Sequence, residues 1–465
     1  MKNRYFSKLS ALTFLLLSFS LLSLDVSAQA KNDKKRAEQL VKDGDKAYSQ
    51  KNYRLAADSY GEAAKLAPVN AQVHYKKGLA HHFLQENGLA IPELDLALSK
   101  GFKPIDVYKA RWKLYNDNKN YDAAVGDVKQ VLKAEPDNAE FTMALAEISY
   151  EKGDFQEAAS GYEKIILKAP NNANLYYKLA LSKGKIGDID GQAGAAEEAV
   201  KKNTQYLAES LKLIADARAA QRRMPEAIDA YERALRAKPE AAREAYLQLA
   251  DLYRAENRIN DAIEISKAGL RQFPNDGKLF TDITWYYSVA GRTDDAVEAG
   301  RAATRLLPKE ATGFTNLCRA YNDANKPEMA IGACNTALRL KPDDGETYFY
   351  LGRAHAILEK PADADKYFKK AVAGLIESTK TNPFHSDGFY LLGNAYAADG
   401  QSAKALEAYK KCLELNPRFS KAQFNIGIIQ IGQKNKAAAM EQYNSLLVTD
   451  KELASKLKVE IDKLL

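Results

Sequence analysis

The chain has 465 residues, with 68 Lys and Arg against 61 Asp and Glu, 14 Pro and 3 Cys. A chain of this length folds either as several globular domains or as one array of repeats, in which each unit contacts only its neighbours. Ala, Leu, Lys and Glu are abundant and Pro is scarce, a composition typical of helices. The net charge of +7 has both signs interleaved, which argues against nucleic-acid binding.

Residues 1–28 have the composition of a signal peptide. Lys2, Arg4 and Lys8 supply positive charge, Leu9–Leu24 is apolar, and a Val-Ser-Ala triplet ending at Ala28 offers small residues for cleavage. The apolar stretch is shorter than the roughly 20 residues that a membrane-spanning helix needs. We therefore expect cleavage near Ala28, export to the periplasm or the extracellular space, and no integral membrane span afterwards. An uncleaved N-terminal anchor is the alternative.

Prolines recur along the rest of the chain at intervals close to 34 residues or to twice that number. They are Pro68, Pro136, Pro170, Pro239, Pro274, Pro308, Pro342 and Pro417. An alanine stands twelve residues before each of them: Ala56, Ala124, Ala158, Ala227, Ala262, Ala296, Ala330 and Ala405. A further twelve residues before these alanines the residue is usually small, as at Gly44, Ala146 and Cys318. Small residues let two successive helices approach closely, and proline then ends the second helix.

This pattern resembles the tetratricopeptide repeat over nearly all of the chain after the leader. Tyr348–His355 is similar to the first helix of that family, and Ala405–Tyr409 with Leu413–Pro417 is similar to its second. The resemblance implies an all-α fold, a right-handed α-solenoid of about twelve helix–turn–helix units. The expected first residues of the units are Ala37, Ala71, Ile105, Ala139, Ala173, Ala208, Arg243, Gly277, Ala311, Gly345, Ser386 and Ser420.

The predicted organisation follows from these positions. A polar linker over 29–36 follows the leader, units 1–5 occupy 37–204, and units 6–12 occupy 205–451. An amphipathic helix over 452–465 caps the last apolar face, as repeat arrays require.

Three departures from the pattern predict local features. Trp112 stands where a small residue is expected, so that helix pair must spread or repack. Gln192 replaces the usual alanine within the glycine-rich stretch 184–194, which predicts a flexible joint. The additional residues Gly374–Lys380 predict a second helix longer by roughly two turns.

Two of the cysteines share one unit. Cys318 and Cys334 lie on its first and second helices, about equally far from the turn, so their side chains are expected to face each other. In an oxidising compartment they form a disulfide worth roughly 3 kcal/mol, provided that their Cα atoms lie within about 7 Å. Two reduced, small core residues are the equal alternative. Cys412 is expected to be an inert buried thiol.

The sequence shows no catalytic constellation, no phosphate-binding glycine loop and no metal-ligand spacing. We expect no catalytic residues, no cofactor and no metal, and a function in binding protein or peptide partners. Since almost every residue belongs to a repeat, no stretch is left for a separate catalytic domain.

The resemblance also implies where a partner binds. In this family the first helix of each unit lines a concave groove, mainly through its second, fifth, ninth and twelfth residues. The candidate groove residues at such places are Tyr75, Leu79, Lys109, Lys113, Met143, Tyr150, Tyr177, Leu181, Trp285, Arg319, Asn322, Phe349, Arg353, Tyr390, Asn394 and Phe424. Aromatic and long polar side chains on a concave surface suit an extended peptide or a partner helix. The same aromatic residues are also common core residues of the repeat.

A run of hydrogen-bond donors along the later units allows two interpretations. Arg319, Arg353, Asn394 and Lys421 recur on successive first helices and could hold an anionic group. The alternative, which we favour, is that they pair with Asp323, Glu346 and Asp387 of neighbouring units.

Two classes of function remain open from the sequence. The first is an exported scaffold or adaptor of the cell envelope that gathers partner proteins. The second is a substrate-presenting or regulatory module that acts with a separate enzyme, such as a glycosyltransferase or a protease.

Overall fold

A computed structural model describes residues 29–241 and 243–464, and the chain divides into two compact units between Leu213 and Ile214. The predicted boundary between the fifth and the sixth repeat, at 204/205, lies nine residues before this division. The predicted signal peptide lies outside the described residues. In the described part of the chain the secondary structure is helical, without strands. No described helix is long and apolar enough to cross a membrane.

The first compact unit consists of antiparallel helix pairs. Its helices are α1 (29–49), α2 (Tyr53–Leu66), α3 (Ala71–Phe83), α4 (Asn87–Ser99), α5 (Pro104–Asp117), α6 (Tyr121–Ala134), α7 (Ala139–Lys152), α8 (Phe155–Lys168), α9 (Ala173–Lys185) and α10 (Ile189–Lys201). α11 (Leu207–Ala220) contains the division between the two units.

The second compact unit continues the same alternation and ends with a single helix. Its helices are α12 (Met224–Ala237), α13 (Arg243–Ala255), α14 (Ile259–Gln272), α15 (Gly277–Val289), α16 (Thr293–Leu306), α17 (Ala311–Asp323), α18 (Pro327–Leu340), α19 (Gly345–Ile357), α20 (Pro361–Thr381), α21 (Ser386–Ala398), α22 (Ser402–Leu415), α23 (Ser420–Gly432), α24 (Lys436–Thr449) and α25 (Lys451–Asp462).

The predicted register of the repeats agrees with these bounds. The first helices of units 2–12 begin at the predicted residue in nine cases, and α5 and α11 begin one residue earlier. The eight periodic alanines, among them Ala56 and Ala405, are completely buried. At Gly393 an added Cβ would lie 2.4 Å from the ring of Tyr409, so the small residue is required by the neighbouring helix. The sequence pattern therefore encodes helix-to-helix contact distances.

The prediction of a polar linker over 29–36 is wrong, because these residues form the first part of α1. The segment contains three Lys, one Arg, one Ala and one Gln, which are good helix formers, and no proline. Polarity alone suggested a linker, although an exposed helix has the same composition.

The predicted departures have clear structural outcomes. α20 has 21 residues against 14 in α18 and α22, which confirms a second helix longer by about two turns. The glycine-rich stretch 184–194 covers the end of α9, a three-residue turn and the first six residues of α10. In it, the side chain of Gln192 takes the space that a Cβ at Gly184 would fill, and its amide donates to the Leu213 carbonyl at 2.7 Å. The cap helix α25 buries Leu457 against Gly427.

Candidate partner-binding groove

The first compact unit contains a cavity of about 580 Å³ on the side of its first helices. Its lining consists of Trp112, Lys113, Asn116, Ala144, Glu147, Ile148, Tyr150, Glu151, Tyr162, Tyr177, Lys178, Leu181 and Tyr206. Four of the predicted groove residues, Lys113, Tyr150, Tyr177 and Leu181, are among them. α5, α7 and α9 supply most of this surface, because the repeat places each first helix beside the next.

Five of the thirteen residues that line the cavity are aromatic. The rings of Tyr177 and Tyr206 are stacked with their centroids 4.5 Å apart, and Trp112 packs edge-on against Phe141 at 6.0 Å. Burial raises the pKa of Tyr150 and of Tyr177, so their hydroxyls are neutral donors at pH 7. Trp112, the large residue at a place where a small one is expected, is itself part of the lining.

One polar group in this cavity lacks a partner. The Oδ1 atom of Asn116 is buried and accepts no hydrogen bond from any described residue. A buried acceptor without a donor costs about 1–3 kcal/mol. The atom has almost no accessible surface, so a molecule in the cavity does not reach it without a rearrangement of the side chains around it.

The charges around the cavity have mixed signs. The ammonium of Lys178 pairs with Glu147 on the preceding first helix. Lys113 is exposed at the rim, and Glu151 lies one turn beyond Glu147. The cavity therefore does not select strongly for one sign of charge.

Sequence reasoning did not find several of the lining residues. Tyr162 is on a second helix, at a place that the repeat usually buries, and Tyr206 lies in the connection before α11. Trp112 carried a signal, since a large residue replaced a small one, but it predicted only spreading of the helices.

The other predicted groove residues of the first unit pack within the protein. Tyr75 stacks on Phe102 with centroids 4.3 Å apart. Lys109 pairs with Glu135 at 2.6 Å. Leu79 and Met143 are half-buried on α3 and α7 and are not part of the cavity lining.

In the second unit many of the predicted groove residues are engaged by other residues of the protein. Asn322 is buried and its amide donates to the Tyr350 carbonyl at 2.8 Å, and Phe349 is only 8% exposed. Asn394 accepts from the Tyr409 hydroxyl at 2.7 Å. The remaining aromatic members also pack inward, Tyr390 against Phe419 and Phe424 beside the cluster formed by α24 and α25.

The run of donors in the second unit is largely engaged by the protein itself. The Arg353 guanidinium lies 3.2 Å from the Asp323 carboxylate, and Arg319 lies 3.9 Å from the same group. The Arg319 guanidinium also lies 5.4 Å from the ring centroid of Trp285. These contacts agree with the pairing interpretation for both arginines. Asp387, by contrast, pairs with Arg254, a partner that the sequence did not suggest.

A larger cleft, of about 1080 Å³, lies among α14, α15 and α16, away from the predicted groove places. Arg271 and Arg305 at its rim lie in the last turns of α14 and α16, where basic residues recur from unit to unit and balance the helix dipole. Lys267 pairs locally with Glu264 at 2.8 Å. The charge pattern of this cleft thus belongs to the repeat, and the concave cavity is the stronger candidate site.

The cysteine pair has the geometry that a disulfide needs. The structure joins Cys318 and Cys334, with their Cα atoms 5.3 Å apart. Cys412 is buried, and burial raises the pKa of its thiol to about 12, which keeps it protonated and unreactive.

Comparison with known proteins identifies the repeat. Profiles described as tetratricopeptide repeat match residues 42–102, 115–181, 177–242, 218–281, 315–378 and 386–419. The chain belongs to the tetratricopeptide repeat family.

The similar proteins have related repeats. Small glutamine-rich tetratricopeptide repeat-containing protein 2 of Saccharomyces cerevisiae is 27% identical over 187 residues, which is 39% of this chain and 51% of that protein. Mitochondrial import receptor subunit TOM70 of Rattus norvegicus is 26% identical over 159 residues, 32% of this chain and 26% of that protein. A superposition on the crystal structure of the yeast Tom70 covers 85% of this chain and 94% of that chain, at 14% identity and a TM-score of 0.38. The chain thus spans about half or less of the curated relatives that it matches.

Proposed function

We propose that this protein is a non-catalytic scaffold that binds an extended segment of a partner protein in the concave cavity of its first compact unit. The observation that carries the proposal is the cavity itself, which is open and has five aromatic side chains in its lining. An extended peptide supplies apolar and aromatic side chains that pack against such a lining. The family of the chain supports the same function, since its relatives are named for their repeats or as an import receptor.

The stacked pair of Tyr177 and Tyr206 is the expected anchor for the partner's side chain. Aromatic residues in desolvated pockets contribute most of the binding energy at protein interfaces, often more than 1–2 kcal/mol each. Replacing Tyr177 with Ala should therefore weaken peptide binding by about tenfold or more.

A peptide library displayed on phage and selected against the chain from residue 29 onward tests this proposal. A selected peptide is then measured by fluorescence anisotropy against Tyr177→Ala and against Tyr176→Ala. Tyr176 is the matched control, because it is adjacent on α9 but donates to the Pro170 carbonyl at 3.2 Å and does not line the cavity. Equal affinity for the two variants would contradict the proposed site.

The class of partner requires a second experiment. A photo-crosslinking amino acid at position 150, beside the cavity, is compared with one at the exposed position Leu167. Several partners linked from position 150 alone would favour the scaffold. Repeated recovery of one glycosyltransferase or protease would favour the substrate-presenting alternative, and catalysis by the purified chain itself would exclude both.

We also propose that the protein is exported to the periplasm or the extracellular space. The composition of residues 1–28 supports this proposal, as does the pairing of Cys318 with Cys334, since disulfides persist in oxidising compartments. N-terminal sequencing of the protein from fractionated cells is expected to start near Gln29. An N-terminus at Met1 in a membrane fraction would instead support the uncleaved anchor.

A further inference from the structure

Two contacts in the second compact unit join repeats that are not neighbours. The Arg254 guanidinium on α13 lies 2.5 Å from the Asp387 carboxylate on α21, 133 residues later in the chain. The Lys421 ammonium on α23 donates to the carbonyl of Val289, the last residue of α15, at 3.4 Å. Because repeats in a solenoid ordinarily contact only the adjacent repeats, these links require a separate explanation.

The surface between these contacts is sheltered and charged. The guanidinium groups of Arg254 and Arg319 lie 5.8 and 5.4 Å from the ring centroid of Trp285. Burial raises the pKa of Glu346 to about 7 and lowers that of Lys421 to about 8. Trp285, Glu346 and Lys421 are each only partly exposed to solvent.

We infer that the Arg254–Asp387 ion pair and the Lys421–Val289 contact form a clasp that holds the concave side of the second unit closed, and that opening the clasp uncovers Trp285 and its neighbours. The side chains of Arg254 and Asp387 are 22% and 16% exposed, so salt screens their attraction only partly. One ion pair and one hydrogen bond are a small part of the stability of this unit. Their loss should thus open the clasp without unfolding the repeats on either side.

Trp285 allows the clasp to be observed directly. The chain contains two tryptophans, Trp112 and Trp285, so in a Trp112→Phe background the fluorescence reports on Trp285 alone. In this background Asp387→Asn is compared with Asp294→Asn. Both aspartates are the second residue of a helix in the same unit, α21 and α16, so the loss of a charge near the helix N-terminus is matched.

The expected result is that Asp387→Asn increases quenching of Trp285 by acrylamide about threefold, while Asp294→Asn leaves it unchanged. Hydrogen exchange should rise in residues 243–255 and 386–398 of Asp387→Asn but not in the capping helix α25. Circular dichroism must show the same helix content in both variants. Equal quenching in the two variants would overturn the inference.

The unmodified side chains provide a second measurement, in case Asp387→Asn does not fold. In the Trp112→Phe background, NaCl at about 1 M shortens the screening length to about 3 Å and should increase quenching towards that of the open form. Asp387→Glu, which keeps the negative charge, should retain low quenching at low salt. Quenching that is independent of salt and already high in the parent would also overturn the inference.

Discussion

The long helix α20 packs closely against the start of α19 at Gly374, so a substitution there tests this packing. A Cβ added there would lie 2.8 Å from the N and Cα atoms of Gly345 and 2.9 Å from the Asp343 carbonyl oxygen. All three are backbone atoms, so no side-chain rotation can relieve the contact. Gly374→Ala should therefore force α19 and α20 apart.

The magnitude follows from two opposing effects. Overpacking of this kind costs about 1–3 kcal/mol, while replacing a helical glycine with alanine gains up to about 1 kcal/mol. The expected net change in the free energy of unfolding is a loss of about 1–2 kcal/mol. The matched control is Gly332→Ala in α18, where an added Cβ has no atom within 4 Å and the same helix gain should stabilise the protein.

Urea denaturation, followed by the fluorescence of Trp285 in the Trp112→Phe background, measures both variants in the second unit. The two midpoints should move in opposite directions, to lower urea for Gly374→Ala and to higher urea for Gly332→Ala. If Gly374→Ala is as stable as Gly332→Ala, the close approach of Gly345 and Gly374 is not present in solution.

Two further predictions concern titration and oxidation. Burial raises the pKa of Glu346 to about 7, so between about pH 4.5 and 7 the folded protein keeps a proton that the unfolded chain releases. The free energy of unfolding therefore falls as the pH rises through this range. Glu346→Gln should thus be more stable than the parent at pH 8, by up to about 3 kcal/mol, with the difference vanishing near pH 4.5; a difference independent of pH would refute this. For the cysteines, alkylation of the denatured, unreduced protein should modify Cys412 alone, as measured by mass spectrometry, and three modified cysteines would show that Cys318 and Cys334 are reduced.

The sequence predicted the features that depend on adjacent helices. Small residues such as Ala124 and Gly393 recur at fixed intervals, because a small side chain at these places lets the neighbouring helix pack closely. The same constraint applies from one repeat to the next. The length of α20 was equally visible, since extra residues between two periodic positions have to lie within the helix or its turn. The described part of α1 was predicted too short because an exposed helix and a linker share a polar composition.

Contacts between repeats that are not adjacent, and contacts made by the connections, depend on more distant geometry. Whether Arg254 reaches Asp387 is decided by small rotations that accumulate over four repeats, and no interval in the sequence records their sum. The same limit applies to Tyr206, which reaches the cavity from a connection rather than from a repeat position.

The ninth place of the repeat shows how similar residues can serve different purposes. In the second unit the side chains of Trp285, Arg319 and Arg353 occupy this place in successive repeats, and each contacts its neighbours or Asp323. Their hydrogen-bonding and stacking capacity is thus used within the protein. In the first unit Leu181 at the same place lines an open cavity. Since a partner gains most from surface that the free protein leaves uncovered, the first unit is the better receptor, although each unit carries eight of the predicted groove residues.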